Sequence, residues 1–344
     1  MTQVVGDPHP AGPFGSPNGA DRSDPSGGQA GAGDSGGAIG SGTSGAPARP
    51  VEGRSPWQLA WARLRADRVA MASAVAIVLI TLGALTAPVF AALVGHGPNE
   101  QFHDTGLTVD GLPRGPGHKF WLGADDLGRD VFVRVLYGAR VSLFAGVLAS
   151  VIAVSVGVVI GLSAGYLGGV VDTVLSRLID VVLSFPFLLF AVALVAVVGP
   201  SLAISVGVIA FFSWASVGRL VRGQAMSIKE KEYVEAARSL GARDLRIMFV
   251  DVLPNLVAPV IVYTTLLIPS AIAFEATLSF LGLGVVPPTA TWGNMLAESV
   301  QYYKVAWWFV IFPGLALLLT TLAFNLLGDG IRDALDPRSG RAHR

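Results

Sequence analysis

The side chains that usually carry catalysis or nucleotide binding are sparse here and unfavourably spaced. The chain has no cysteine, which excludes thiol nucleophiles, disulfides and cysteine-bound metals. Three of the five histidines, His96, His103 and His118, share one loop without the tight spacing of a metal site, so we expect them to be solvated. No lysine follows a glycine, so the phosphate-binding motif G-x-x-x-x-G-K-[S/T] is absent, and any ATP that drives the protein must bind another chain.

The most informative spacing lies in residues 227–241. Ser227 and Glu230 fit a capping box at the start of a helix, and Gly241 suits a left-handed exit at its end. A narrow apolar stripe follows at i, i+3, i+4 and i+7: Tyr233, Ala236, Ala237 and Leu240. The pattern predicts an amphipathic helix of about 13 residues, too short and too charged to span a membrane. Such a helix could lie on the membrane surface, pack against its own chain or insert into a partner protein, and its small alanines favour a protein.

The composition indicates that the elements carrying these residues lie largely in lipid. Hydrophobic residues make up 52% of the 344 residues and charged residues 14%, against about 25% charged in ordinary soluble domains. The mean hydropathy is +0.59. The formal net charge is zero, so no overall basic field favours nucleic acid as a partner.

Six apolar segments are long enough to cross a hydrocarbon core of roughly 30 Å, which takes about 20 helical residues. Their approximate bounds are 69–94, 141–163, 181–199, 202–218, 252–274 and 305–327. The hydrophobic runs are continuous and do not alternate, which favours helices over barrel strands. Kinks or local unwinding are predicted at the prolines within them: Pro88, Pro186, Pro259, Pro269 and Pro313. Asp180 and Glu275 lie near boundaries, and the span centres carry no charge that would indicate a proton relay.

The distribution of lysine and arginine predicts how the chain is oriented. With the amino terminus in the cytoplasm, the inside segments carry 18 of these residues and the outside segments 6, as the positive-inside rule requires. An even number of spans returns the carboxyl terminus to the cytoplasm. Residues 1–56 are rich in Gly, Pro and Ser and lack the apolar core of a signal peptide, which predicts a disordered cytoplasmic tail.

Glycines recur every fourth residue in the second span and beyond it, at Gly157, Gly161, Gly165 and Gly169. On a helix this spacing makes a flat ridge that another helix can approach closely. The run Gly-Tyr-Leu-Gly-Gly that starts at Gly165 is typical of a turn, so we expect Gly165, Gly168 and Gly169 to end the helix.

The 227–241 segment resembles the cytoplasmic EAA loop of ABC importer permeases. The resemblance rests on Glu235-Ala236-Ala237, then three residues and Gly241, with Leu253-Pro254 further on. It implies that 227–241 is the coupling helix, which sits in a cleft of an ATPase subunit and transmits its closure. The coupling residues it implies are Glu232, Tyr233, Glu235, Ala236, Ala237, Gly241, Leu253 and Pro254.

Four further stretches are similar to the dipeptide, oligopeptide and nickel branch of that family, and the similarity covers about residues 120–338. They are 122–130, 165–169, 278–293 and 325–337. The signature residues they imply are Asp125, Gly128, Arg129, Asp130, Arg177, Asp180, Asp329, Arg332 and Asp333. Each has a structural alternative: Arg177 and Asp180 could pair at i, i+3, and the last three could cap and pair around the end of the sixth span.

The resemblance implies an all-α membrane protein with six transmembrane helices and the type I importer permease fold, both termini being cytoplasmic. The expected divisions are a tail at 1–56, a first span region at 57–96, an external loop at 97–140, a permease core at 141–328 and a tail at 329–344. No cofactor is expected in this chain. ATP and Mg²⁺ would bind partner subunits: two ATPase domains beside a second, homologous permease and an extracytoplasmic solute-binding protein.

The substrate class implied is peptides, with nickel or another small solute of the same family as an alternative. A standalone channel or ion-coupled carrier is a different reading, in which the hairpin would be a structural loop. An intramembrane enzyme is a third, but the spans lack a convergent nucleophile, base or metal set.

Overall fold

The computed structural model describes residues 56–336, and in that range the regular structure is helical apart from two isolated bridges. The predicted disorder of 1–56 therefore falls almost wholly outside the described residues, as does 337–344 of the predicted carboxyl-terminal tail. The helices are α1 Pro56–Ala66, α2 Arg68–Leu85, α3 Ala87–Val94, the single turn α4 His103–Gly106, α5 Val131–Leu167, α6 Gly169–Ser184, α7 Phe187–Val198, α8 Leu202–Lys229, α9 Glu232–Ser239, the turn α10 Asp244–Arg246, a π-helical turn Ile247–Val252, α11 Leu253–Phe280, α12 Trp292–Ser299 and α13 Trp307–Leu335.

Five helical stretches are long and apolar enough to cross a membrane: α2, α5, α8, the continuous run Asp244–Phe280 and α13. The predicted span 181–199 is not one helix, because α6 and α7 meet at a bend of 82°. Pro186 stands at the start of α7 and Phe185 before it is extended, with ψ 133°, since a residue before proline avoids the helical region. Counted as one span, this bent pair brings the total to the six predicted.

The boundaries of two predicted spans also differ. The first is divided at Thr86 into α2 and α3, with a proline in the first turn of α3. The helix that contains the second predicted span starts at Val131, ten residues before 141, and its 37 residues are more than a membrane crossing needs. Asp130 caps this helix by accepting hydrogen bonds from the amides of Phe132 and Val133, a signal that the hydropathy pattern does not carry.

The centre of the bundle is the contact between α5 and α8, and the predicted glycine ridge makes it possible. A methyl group on Gly161 would stand 2.5 Å from the carbonyl oxygen of Gly218, and one on Gly165 would stand 2.6 Å from that of Arg222. Gly165 therefore packs inside the helix, and the expectation that it ends the helix is wrong. The chain turns at Gly168 and Gly169, which both have positive φ.

The bundle has two ends with different contents. One, the terminal face, contains α1, the end of α5, α9 and the end of α13; the guanidinium of Arg63 donates to the carbonyl oxygen of Asp336 there. The other, the loop face, contains residues 95–130 and 281–306, which carry α4 and α12. The predicted tail at 329–344 is in its described part a continuation of α13 to Leu335.

Candidate functional site

A helix is present where the coupling helix is predicted, but it is shorter than the sequence pattern indicates. Helix α9 covers Glu232–Ser239, with Lys231 at its N-cap position and no side-chain cap. The expected capping box is wrong, because Ser227 lies within the last turns of α8. Val221, Ala225 and Ile228 continue the apolar face of α8 at helical spacing and pack in the core, so α8 extends to Lys229.

One side of α9 is anchored to its own chain. Val234, which the stripe pattern omits, is fully buried in a cluster that includes Val221 of α8 and Met248 of the π-helical turn. Beside this cluster the hydroxyl of Tyr166, at the end of α5, donates to Asp244 over 3.0 Å. Helix α9 is therefore packed against the end of α8 and against the π-helical turn that leads into α11.

The other side of α9 is exposed, and it carries most of the predicted stripe. Tyr233 is 45% exposed, Leu240 is 88% exposed, and Ala236 lies exposed between them. Glu232 and Glu235 are exposed as well, whereas Ala237 is half-buried against the core cluster. Leu245, just after the helix, adds a further exposed apolar side chain. We call Tyr233, Ala236, Leu240 and Leu245 the α9 surface.

The carboxyl end of α9 closes as the sequence predicts. Gly241 has φ +81°, and an added methyl group would meet no atom within 4 Å. Its amide donates to Arg238 and the amide of Ala242 donates to Ala237, the paired bonds of a Schellman motif. Gly241 is thus required for its backbone conformation rather than for space.

Leu253 and Pro254, also predicted as coupling residues, begin α11 just after the π-helical turn. Leu253 packs against the core cluster and Pro254 is exposed. A proline ring collides with the carbonyl group four residues earlier in a regular α-helix. The wider turn before Pro254 relieves that collision, so these residues shape the joint between α9 and the long span.

The signature residues of the loop before α5 assemble into a buried ion cluster on the loop face. Asp125 pairs with the guanidiniums of Arg129 and Arg134, and both arginines reach Glu298 of α12, at 2.8 and 3.1 Å. Burial raises the pKa of Glu298, against the opposing effect of Arg134, and burial with the charge of Asp125 raises the pKa of Asp126. Oxygens of Asp125, Asp126 and Glu298 lie within 4.8 Å of one another, and the guanidiniums of Arg129 and Arg134 offset two of the three carboxylates.

Two other residues of the same loop have structural roles. Asp130, besides capping α5, bonds Nδ1 of His96 over 2.7 Å. His96 is buried between the rings of Phe102 and Phe120, so the expectation of a solvated histidine is wrong there. Gly128 has φ +74° and lies against the carbonyl of Phe102, where a side chain would not fit.

The remaining signature residues are not brought together. Asp180 pairs with Arg219 of α8 over 2.9 Å rather than with Arg177, and both partners are more than half exposed. Asp329 and Arg332 are exposed on the last turns of α13, and within residues 56–336 no ion pair joins them. Asp333 lies on the same turns.

Glu275, which the sequence places just after the predicted span 252–274, lies within helix α11 in the structure. Glu275 is fully buried in α11 and accepts a hydrogen bond of 2.7 Å from Ser279. Its second oxygen has no hydrogen-bond partner among the described residues, and neither does the buried hydroxyl of Ser142 on α5.

Comparison with known proteins places this geometry in a family. Residues 157–341 match the family described as "Binding-protein-dependent transport system inner membrane component", and residues 55–107 match the "N-terminal TM domain of oligopeptide transport permease C". The chain is 42% identical over 290 residues to the glutathione transport system permease protein GsiD of Escherichia coli O1:K1, and 44% identical to that of Shigella flexneri serotype 5b. Each alignment covers 84% of this chain and 93% of the relative.

Among solved structures, the inward-facing MetNI methionine ABC transporter aligns with a TM-score of 0.49 at 16% identity, covering 59% of this chain and 96% of that chain. The curated relatives are transport permeases rather than enzymes, and this chain is likewise a multi-span protein of the bacterial inner membrane. The chain belongs to the family of binding-protein-dependent transport system inner membrane components, as a permease subunit of an ABC importer.

Proposed function

We propose that this chain is one of two membrane subunits of an importer for small peptides, with its terminal face in the cytoplasm and α9 as its coupling helix. The observation that supports this most is the division of α9 into two sides. Val234 fixes one side to the chain, while Tyr233, Ala236 and Leu240 leave an apolar strip uncovered. Apolar side chains that are exposed together on one face of a short helix are typical of a site that binds another protein.

The partners required are two ATPase domains, a second homologous permease and an extracytoplasmic solute-binding protein. ATP and Mg²⁺ bind the ATPase domains, because this sequence has no phosphate-binding loop. The exposed carboxylates of Glu232 and Glu235 beside the apolar strip would face basic or amide groups of the ATPase. Small Ala236 lets the two backbones approach closely.

The mechanism follows from what α9 touches. Closure of the ATPase pair on ATP would draw the two coupling helices together, and the Val234 cluster and the bond between Tyr166 and Asp244 would carry that movement into α5, α8 and α11. Rocking of rigid bundles about a central path is an established way to alternate access. Hydrolysis would relax the bundles and release the solute inward.

The substrate class favoured is a small peptide. The curated relatives are named as glutathione permeases, glutathione is itself a tripeptide, and a second family match is to an oligopeptide permease. Hydroxyl, amide and carbonyl groups of kinked helices can hold a zwitterion without a fixed charge. Nickel or another small solute is the alternative, and transport assays with labelled dipeptide, glutathione and Ni²⁺ separate them.

The test is a matched pair of Ala→Arg substitutions in the transporter reconstituted with its partners. Ala236→Arg puts a long cation on the α9 surface and should abolish solute-dependent ATP hydrolysis while the chain still inserts. Ala62→Arg makes the same change at an exposed position of α1 and should leave hydrolysis unchanged. Coupled hydrolysis at the parental rate in Ala236→Arg would remove α9 from the coupling role.

A further inference from the structure

A groove on the outer surface of the bundle has features of a built site. It lies between α2, α5 and α13, has a volume of about 560 Å³, and is walled almost entirely by apolar side chains. Leu85, Phe144, Val147 and Phe324 form much of the wall. The volume falls within the range of about 300–1,000 Å³ that is usual for pockets holding small organic ligands.

The single charge in the groove is Arg140, and its surroundings do not satisfy it. It is exposed on α5, directly before the apolar segment 141–163 and six residues after Arg134 of the loop-face ion cluster. Within residues 56–336 no carboxylate pairs with it, and its guanidinium lies 5.6 Å from the ring of Tyr137. An arginine beside the start of an apolar span is well placed to pair with a lipid phosphate at the membrane surface.

The position of Arg140 relative to the groove sets the shape of a suitable ligand. From Arg140 to Val151 the groove follows α5 for 11 residues, or about 16 Å at 1.5 Å per residue. The charge is at the end nearer the loop face, and the apolar wall extends from it toward the middle of the membrane. A matching ligand has an anionic head at the membrane surface and a hydrocarbon chain directed inward.

We propose that this groove binds one phospholipid from the leaflet on the loop-face side, with its phosphate on Arg140 and an acyl chain between α2, α5 and α13. The planar guanidinium suits a phosphate group because it donates two parallel hydrogen bonds. A transmembrane helix of a partner subunit would instead have to bring a carboxylate to Arg140.

Native mass spectrometry of the full-length chain, purified in mild detergent with its co-purifying subunits, tests the proposal. After delipidation, phosphatidylglycerol and diacylglycerol are added back at equal concentration, because the two share acyl chains and differ in the phosphate. The parent should retain one phosphatidylglycerol per chain and bind it about tenfold more tightly than diacylglycerol. Hydrogen bonds between the Arg140 guanidinium and the phosphate are expected to give an affinity difference of this size.

Two variants divide the site into its parts. Arg140→Gln should remove the preference for phosphatidylglycerol, whereas Arg114→Gln, an exposed arginine outside the spans, should retain it. Val147→Trp should fill the groove and lower binding of both lipids. Equal lipid binding by the parent, Arg140→Gln and Val147→Trp would overturn the proposal. So would a specific crosslink from Val147→Cys to a partner permease in a complex that retains no lipid.

Discussion

Leu240→Ala provides the sharpest measurement of the α9 surface, because this side chain contributes almost nothing to the isolated chain. Leu240 is 88% exposed, so truncating it should leave thermal stability unchanged. If docking buries it, the substitution removes three carbons at about 0.8 kcal/mol each. Allowing for incomplete burial, the loss is about 2 kcal/mol, or about 30-fold in Kd for the ATPase partner.

The assay is a titration of the ATPase subunit onto the permease in lipid nanodiscs, followed by solute-stimulated hydrolysis at each concentration. Leu240→Ala should shift the titration to higher ATPase concentration and recover full hydrolysis at saturation. Val234→Ala is the contrasting variant: it removes methyl groups from the buried side of the same helix, so it should lower stability. A Kd for Leu240→Ala within twofold of the parent would show that the exposed strip is not the docking surface.

Two further predictions concern the packing of the bundle and the ion cluster. Gly161→Ala should lower the Tm, because the new methyl group would approach the Gly218 carbonyl to 2.5 Å and overpacking costs about 1–3 kcal/mol; Gly223→Ala on α8, with open space around it, should not. Because the pKa of Glu298 is raised in the folded protein, the folded state binds more protons than the unfolded state at pH values between the ordinary and the raised pKa. The free energy of unfolding that Glu298 contributes should therefore increase as the pH falls through that interval. Hydrogen exchange of α12 across that range measures this, and the trend should weaken in Glu298→Gln; a parental trend in the variant would contradict the assignment.

The sequence predicts the helical class and the spans well because both follow from hydropathy over long windows. The prediction fails where a short capping motif competes with the apolar pattern of a longer helix. Ser227 and Glu230 look like a cap, yet the apolar positions Val221, Ala225 and Ile228 hold the end of α8 in the core, and burial of those side chains outweighs a cap of about 1 kcal/mol. In the 181–199 span the kink predicted at Pro186 is confirmed, but hydropathy does not give its size, and a bend of 82° divides the apolar run into two helices.

The position of helix α9 could be predicted from the sequence, but the direction in which its apolar stripe faces could not. The stripe of Tyr233, Ala236, Ala237 and Leu240 has the spacing of a buried face, and in the isolated chain most of it is exposed. Val234 lies off that stripe and is the residue that anchors the helix. The sequence did contain one signal for this contact. Val234 is the one β-branched apolar residue of α9, and it lies among polar and charged residues, as expected for a side chain that anchors the helix to the rest of the chain.

The two faces of the bundle differ in what a rearrangement would cost. On the loop face, Arg134 and Asp125 are both fully buried, and separating a buried ion pair costs about 3–5 kcal/mol because each charge loses its partner without regaining water. At the opposite end of the bundle, the pair of Asp180 and Arg219 is more than half exposed, and exchanging such a pair for water costs about 0–1 kcal/mol. The ion cluster also joins α5 to α12, so it holds the loop face together across segments distant in sequence. In the proposed mechanism, a movement of α9 would therefore exchange exposed contacts such as the Asp180–Arg219 pair while the loop-face cluster stays intact.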